Sequence, residues 1–87
     1  MSKHLKALAK LCASPTPASV RWNELRAVLE HFGYAVKHGS GSRRKFFHKQ
    51  RDLLVICHEP HPSPEVDKGC VADVVAHLRA HGFIEEK

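Results

Sequence analysis

The stretch Arg43–His58, "RRKFFHKQRDLLVICH", decides the fold of this chain because it joins two strand-like runs through a polar turn. "RRKFFHK" and "DLLVICH" are rich in aromatic and branched apolar residues, and Lys49-Gln50-Arg51-Asp52 supplies the turn. Two such runs predict an antiparallel hairpin. A third run, "YAVKH", precedes the hairpin across a glycine-serine loop at residues 39–42 and predicts a third strand.

Helical patterns flank the three strands on both sides. Apolar residues recur at helical spacing in residues 20–32, with Gly33 as the stop, and again in residues 67–82, where Gly82 ends the pattern. The two stripes are Trp22, Leu25, Leu29 and Phe32, and Val71, Val74, Val75 and Leu78. This order predicts an α+β domain, in which two helices cover one face of a three-stranded antiparallel sheet and leave the other face free.

An additional helix is predicted ahead of this domain. Residues 2–13 place Leu5, Leu8 and Cys12 on one face, with three lysines (Lys3, Lys6 and Lys10) on another. Prolines at 15 and 17 end the helix. We therefore expect an N-terminal helix and proline-rich linker at 1–19 and the main domain at 20–87. The pattern leaves open whether the helix docks or frays.

Positive charge is concentrated in one segment. The chain carries a formal charge of +5, and residues 37–51 hold six lysines and arginines with no acid. A local basic patch is typical of a polyanion binder, although a basic surface that serves only solubility is the alternative. Phe46 and Phe47 point to opposite faces of their strand, so we expect one in the core and the other available for base stacking.

Cysteine usage and hydropathy limit the class of protein. Three scattered cysteines are too few for a disulfide framework and favour a reducing compartment, hence the cytoplasm. No apolar run approaches the ~20 residues of a membrane span. His58 and His61 could be read as a metal pair, but the intervening proline and the lack of a second pair argue against zinc. We expect neither a metal nor another cofactor.

Several of these segments together resemble a known family. A helix ending in Phe-Gly, a glycine-serine loop into "SRRKFFH", and "HEPHPSPEVDKG" before a helix ending in "HGF" resemble the HicA toxins of bacterial toxin–antitoxin pairs. The resemblance covers Val20 to Phe83 and is best at His61-Pro62, followed by Glu65, Lys68 and Gly69. The predicted layout also resembles a double-stranded-RNA-binding domain.

This resemblance implies a ribosome-independent mRNA endonuclease that is neutralised by a HicB-type antitoxin. The partners expected are therefore mRNA and that antitoxin. The residues expected to contact RNA are Lys37, Ser42, Arg43, Arg44, Lys45, Lys49 and Lys68.

The chain departs from the family at one functional position. The usual motif reads Gly-Ser-His-(His)-x-Phe, and Gly41, Ser42 and Phe46 match it, but the catalytic first histidine falls on Arg43. Arginine stays protonated and cannot act as an ordinary base, whereas it can bind a phosphate with two hydrogen bonds. Catalysis by another histidine, loss of cleavage with binding retained, and a purely electrostatic subfamily all remain open.

Metal-free RNA cleavage needs proton transfer, for which imidazole is well suited, and cations that stabilise the phosphorane. His48 shares a strand face with Arg44 and Phe46, and His61 matches the family's His-Pro segment. If the protein cleaves RNA, we expect His48 or His61 to move the proton and Arg43 to clamp the phosphate. A non-catalytic nucleic-acid-binding module and a protein that chiefly binds its antitoxin are the alternatives.

Overall fold

The computed structural model describes residues 3–13, 16–17, 19–39, 41, 43–60 and 64–84, with side chains in the first helix described from Lys6 onward. Its elements follow the predicted order of helix, helix, three strands and helix, which confirms the α+β class. They are α1 (Lys3–Leu11), α2 (Trp22–His31), β1 (Ala35–His38), β2 (Arg43–His48), β3 (Leu53–His58) and α3 (Lys68–Ala80).

The sheet is an antiparallel meander with the strand order β1-β2-β3. The predicted hairpin is formed by β2 and β3, whose pairing runs from Arg43 opposite His58 to His48 opposite Leu53. Asp52 closes its turn at a φ of 52°, a left-handed conformation that aspartate adopts more readily than most residues.

The strand register sorts the side chains onto two faces. One face turns Val36, Phe46 and Val55 toward the helices, and Phe46 is fully buried with its ring centroid 5.6 Å from that of Trp22. The second face, called the open face below, keeps large side chains exposed. Its residues are Ala35, Lys37, Arg43, Lys45, Phe47, Leu54, Ile56 and His58.

The helices bury the stripes that the sequence predicted, with one difference. In α3 the four predicted residues from Val71 to Leu78 are all buried. In α2 the buried set includes Val28, whereas Phe32 is only half-buried and packs against Phe83 with ring centroids 5.4 Å apart. The reason is that α2 ends at His31, so Phe32 lies where the chain leaves the helix direction.

Helix α1 docks on the domain. Ala7 and Leu11 are 4% and 2% exposed within the common core, while Leu8 and Cys12 are partly buried. The predicted face was centred on Leu5, Leu8 and Cys12, and the side chain of Leu5 lies outside the described part. The docked face is instead centred on Ala7 and Leu11, which lie one helical turn apart.

A short ion pair joins α1 to α2. The Lys10 ammonium lies 2.9 Å from Glu24 Oε1, and the backbone N–H of Arg21 donates to the same oxygen at 2.9 Å. Partial burial would raise the pKa of Glu24, but these two hydrogen bonds and the nearby positive charges leave it below its ordinary value.

A single bridge ties the start of α2 to the segment before α3. Arg21 pairs antiparallel with Glu65, the Trp22 N–H donates to the Pro64 carbonyl at 2.9 Å, and the Val66 N–H donates to the Val20 carbonyl at 2.7 Å. Asp67 then begins α3 by accepting a hydrogen bond from the Gly69 N–H at 2.9 Å.

Across the described residues, none of the helices has the length and apolar character needed to cross a membrane.

Candidate nucleic-acid interface

The open face carries exposed cations on two neighbouring strands. Lys37 and Lys45 are Cα partners across β1 and β2, and Arg43 lies two residues before Lys45 on the same face. Cβ atoms of directly opposed residues lie only about 4.5–5.5 Å apart, so like charges there repel one another. A bound anion relieves this repulsion, which makes this half of the face attractive to a polyanion.

The other half of the open face is apolar. Phe47 faces Leu54 and Lys45 faces Ile56 across the β2–β3 pairing. Leu54 and Ile56 are 50% and 48% exposed, and Phe47 is half-buried. Phe46 is therefore the core phenylalanine of the expected pair, and base stacking on Phe47 stays a prediction.

Arg44 points to the opposite side of β2 and is occupied by the protein itself. Its Nε donates to Glu59 Oε1 at 3.0 Å, and its Nη1 donates to the carbonyls of Gly41 and Arg43, each at 2.9 Å. The side chain is 15% exposed. Arg44 thus ties Gly41 to Glu59, the residue that follows β3, and Glu59 offsets its charge.

Arg43 and His58 form the pair that best suits phosphate chemistry. They are Cα partners at the end of the hairpin, they share the open face, and both are exposed. A guanidinium can clamp a phosphate with paired hydrogen bonds while an adjacent imidazole moves a proton. The sequence alone does not show this pair, because the pairing of His58 with Arg43 depends on the register set by the turn.

His48 occupies a packing position among aromatic side chains. It is 6% exposed, its Nδ1 accepts a hydrogen bond from the Arg51 N–H at 3.2 Å, and its ring centroid lies 5.2 Å from that of Tyr34 and 5.4 Å from that of Phe83. The register confirms that it shares a face with Phe46. That face is the one the helices cover, so the ring is directed away from the open face.

Gly33 explains how the His48 ring fits. A Cβ built on Gly33 would lie 2.9 Å from His48 Nε2, closer than Cβ atoms come to such neighbours in real proteins. Gly33 also has a φ of 100°, which L side chains rarely adopt. The glycine that ends α2 therefore also makes room for the imidazole.

The remaining predicted contacts are distributed around the sheet. Lys49 is exposed in the turn at the opposite end of β2 from Arg43, and Lys68 is exposed at the first residue of α3. Ser42 and His61 lie outside the described residues.

On the helix-facing side of the sheet, a tyrosine–histidine hydrogen bond joins the residue before β1 to α3. Tyr34 Oη and His77 Nε2 lie 2.6 Å apart. Burial lowers the pKa of His77, and the neighbouring His81 lowers it further, while burial raises the pKa of Tyr34 against the opposing charge of Arg51. The pair is thus held neutral and structural.

No group of three histidine, cysteine or acidic side chains able to hold a metal ion occurs within the part of the chain that the structure describes.

A family model described as the HicA toxin of bacterial toxin–antitoxin matches residues 22–74. The matched region runs from the first residue of α2 through the whole sheet and into α3. No curated protein and no solved structure matches the chain.

Proposed function

The chain belongs to the HicA toxin family, and from this premise we propose that it binds and cleaves messenger RNA through the open face of its sheet. Family membership makes it the toxin of a toxin–antitoxin system with a cognate antitoxin. The observation that carries the proposal is the pairing of Arg43 with His58, beside Lys37 and Lys45, on one exposed face. The proposed site of action is the cytoplasm, where messenger RNA is translated.

Binding rests on charge. Lys37, Arg43 and Lys45 contact consecutive phosphates and release the counterions condensed on the RNA. Lys49 and Lys68 extend the contact beyond the sheet, and Ser42 adds a hydroxyl beside Arg43. Arg44 contributes indirectly, because its hydrogen bonds to Gly41 and Glu59 fix the loop that presents Arg43. Phe47 offers a ring on which a base can stack.

Cleavage requires three events at one phosphate. A base removes the proton of the 2′-hydroxyl, the 2′-oxygen attacks phosphorus, and the 5′-oxygen leaves as it gains a proton. Arg43 stabilises the negative charge of the phosphorane. We assign the proton transfer to His58 or His61 ahead of His48. His58 is opposite Arg43, His61 matches the family's His-Pro segment, and the buried ring of His48 would have to leave its aromatic pocket to reach RNA.

One observation favours a second candidate function, a nucleic-acid-binding domain without cleavage. The family's usual catalytic histidine position holds Arg43, and a permanently protonated side chain keeps phosphate affinity while losing the capacity to accept a proton. In this second function, the open face binds RNA and covers it without cutting it.

The proposed antitoxin is of the HicB type and covers the open face. The face combines exposed apolar side chains, Leu54 and Ile56, with the cations of β1 and β2. A partner that buries the apolar half and places carboxylates over Lys37 and Lys45 would mask the RNA-binding surface. Leu54→Ala and Ile56→Ala should each weaken the complex, whereas Ala72→Ser, at an exposed position of α3, should leave its affinity unchanged.

The deciding experiment is RNA cleavage by purified variants whose fold is checked by circular dichroism. Removal of the true base should slow cleavage by about 10²- to 10⁴-fold with RNA affinity retained. His58→Ala and His61→Ala test the two favoured candidates. His48→Phe, which keeps a ring in the aromatic pocket, is the matched control and should cut at the wild-type rate. Arg43→Ala should weaken both binding and cleavage, and Arg43→His restores the family's usual group.

One result would reject the assignment of the base, and another would reject cleavage itself. If His58→Ala and His61→Ala both cut at the wild-type rate, neither histidine is the base. If the wild type never cuts RNA while it still binds it, the protein is the binding domain of the second proposal.

A further inference from the structure

Two of the three cysteines meet between the sheet and α3. Cys57 lies on the helix-facing side of β3 and is 3% exposed, and Cys70 lies in the first turn of α3 and is partly buried against the same core. Both line a groove of about 520 Å³ between β3 and α3. Their thiols lie close enough for each to shift the pKa of the other. They therefore face one groove from two separate elements, although they are thirteen positions apart in sequence.

Their surroundings make the two thiols unequal. The hydrogen bond from Cys57 lowers the pKa of Cys70, against burial and the charges of Asp73 and Asp67. The same hydrogen bond, together with burial and Asp73, raises the pKa of Cys57. Cys70 is the more exposed of the two and is stabilised as a thiolate, the form that reacts with oxidants. Cys57 is the buried thiol of the pair.

We propose that Cys57 and Cys70 form a peroxide-responsive thiol pair that closes into an intramolecular disulfide. The Cys70 thiolate attacks one peroxide oxygen, the O–O bond breaks, and the departing hydroxide takes a proton to become water. The Cys57 sulfur then attacks the sulfenic sulfur of Cys70, the S–O bond breaks, and a second water leaves. In sum, two thiols and one hydrogen peroxide give one disulfide and two waters.

The crosslink would join the end of β3 to the start of α3 and so close the segment 58–69. That segment is already anchored at Glu59 by Arg44 and at residues 64–66 by the bridge to α2. Oxidation therefore adds a third, covalent attachment next to His58. The disulfide itself does not depend on RNA cleavage, and a protein that never cuts RNA would still form it.

Cys12 provides an internal comparison. It lies on α1 and lines a separate groove that includes Arg79. Cys57 and Cys70 line one groove and Cys12 lines another, so peroxide should convert the first two to a disulfide while Cys12 remains a thiol. A Cys12→Ser protein, with only the two paired thiols, is the cleanest form in which to observe the reaction.

The test treats fully reduced Cys12→Ser protein with hydrogen peroxide and then measures intact mass, free thiols and non-reduced peptide maps. The expected product is a monomer that has lost two hydrogens, has no free thiol, and yields a Cys57–Cys70 linked peptide that disappears on reduction. Cys70→Ser in the same background should form no such link and should react more slowly with peroxide, because the buried Cys57 thiol is left alone.

Three outcomes would overturn the proposal. They are retention of both thiols at a peroxide dose that oxidises free cysteine, accumulation of oxygen adducts on Cys70 without a disulfide, and formation of only intermolecular disulfides. Circular dichroism before and after treatment ensures that the linked peptide comes from folded protein.

Discussion

The cations of the open face set the salt dependence expected for RNA binding. Lys37, Arg43 and Lys45 are its three exposed cations. If each neutralises one phosphate of single-stranded RNA, at about −0.7 per contact, the open face contributes about −2.1 to the slope of log affinity against log salt, and Lys49 and Lys68 add to it. The open-face share alone lowers affinity by about 18-fold when salt rises fourfold, from about 50 to 200 mM.

Replacing Arg43 and Lys45 with alanine tests this count directly. Two of the three open-face cations are then lost, so the slope should flatten by about 1.4, and the same rise in salt should lower affinity by about 7-fold less than in the wild type. Fluorescence anisotropy of a labelled single-stranded RNA at four salt concentrations measures both slopes. Using an RNA with 2′-deoxy substitutions prevents cleavage during the titration.

Arg26→Ala is the matched control, since Arg26 is an exposed cation on α2 that pairs with Glu30 at 3.3 Å instead of facing the open side of the sheet. Its slope should equal that of the wild type. An unchanged slope in the Arg43 and Lys45 double variant, or a slope in Arg26→Ala that flattens by as much, would place the RNA elsewhere and refute the reasoning.

Three further predictions concern stability. Leu11→Ala should lower the free energy of unfolding by about 2–5 kcal/mol, because Leu11 is buried where α1 docks. The folded variant should retain its RNA affinity, and loss of binding would instead place α1 in the interface. The lowered pKa of His77 means that the folded state favours its neutral form. The contribution of His77 to the free energy of unfolding is fully present above the pKa of the unfolded state, near 6.5, and is lost as pH falls below it. In urea unfolding, the free energy of unfolding of His77→Gln should therefore fall less in acid than that of the wild type. Gly33→Ala should lower the free energy of unfolding by more than Gly41→Ala. Both glycines have a positive φ, but only at Gly33 would a new Cβ lie 2.9 Å from His48. Equal losses of unfolding free energy in urea would contradict that contact.

Periodicity was sufficient to predict the elements of this fold. The two strand-like runs and the polar turn within Arg43–His58 predicted the hairpin, and the 3.6-residue spacing of the valines predicted the buried side of α3. The docked face of α1 was harder to predict from the sequence. It includes Ala7, whose small side chain contributes little to the hydrophobic pattern.

The site was harder to predict because alternation separates the faces of a strand without showing which one is covered. Arg43 and Arg44 necessarily point to opposite sides, but only the position of the helices shows that Arg44 is enclosed and paired with Glu59. For the same reason, His48 is a weaker candidate for proton transfer than the sequence suggested, and His58 is a stronger one. The first is buried beneath the helices, and the second lies opposite Arg43 because the turn fixes the pairing register.

The bridge between Arg21 and Glu65 also has a consequence for the order of folding. Consecutive strands form the sheet, and only a four-residue turn separates β2 from β3, whereas the bridge joins residues 44 positions apart. Closing a chain segment of that length costs about 3 kcal/mol of entropy against about 1 kcal/mol for the hairpin turn. The hairpin can therefore form in the transition state before the bridge closes, so disrupting the bridge should speed unfolding far more than it slows folding.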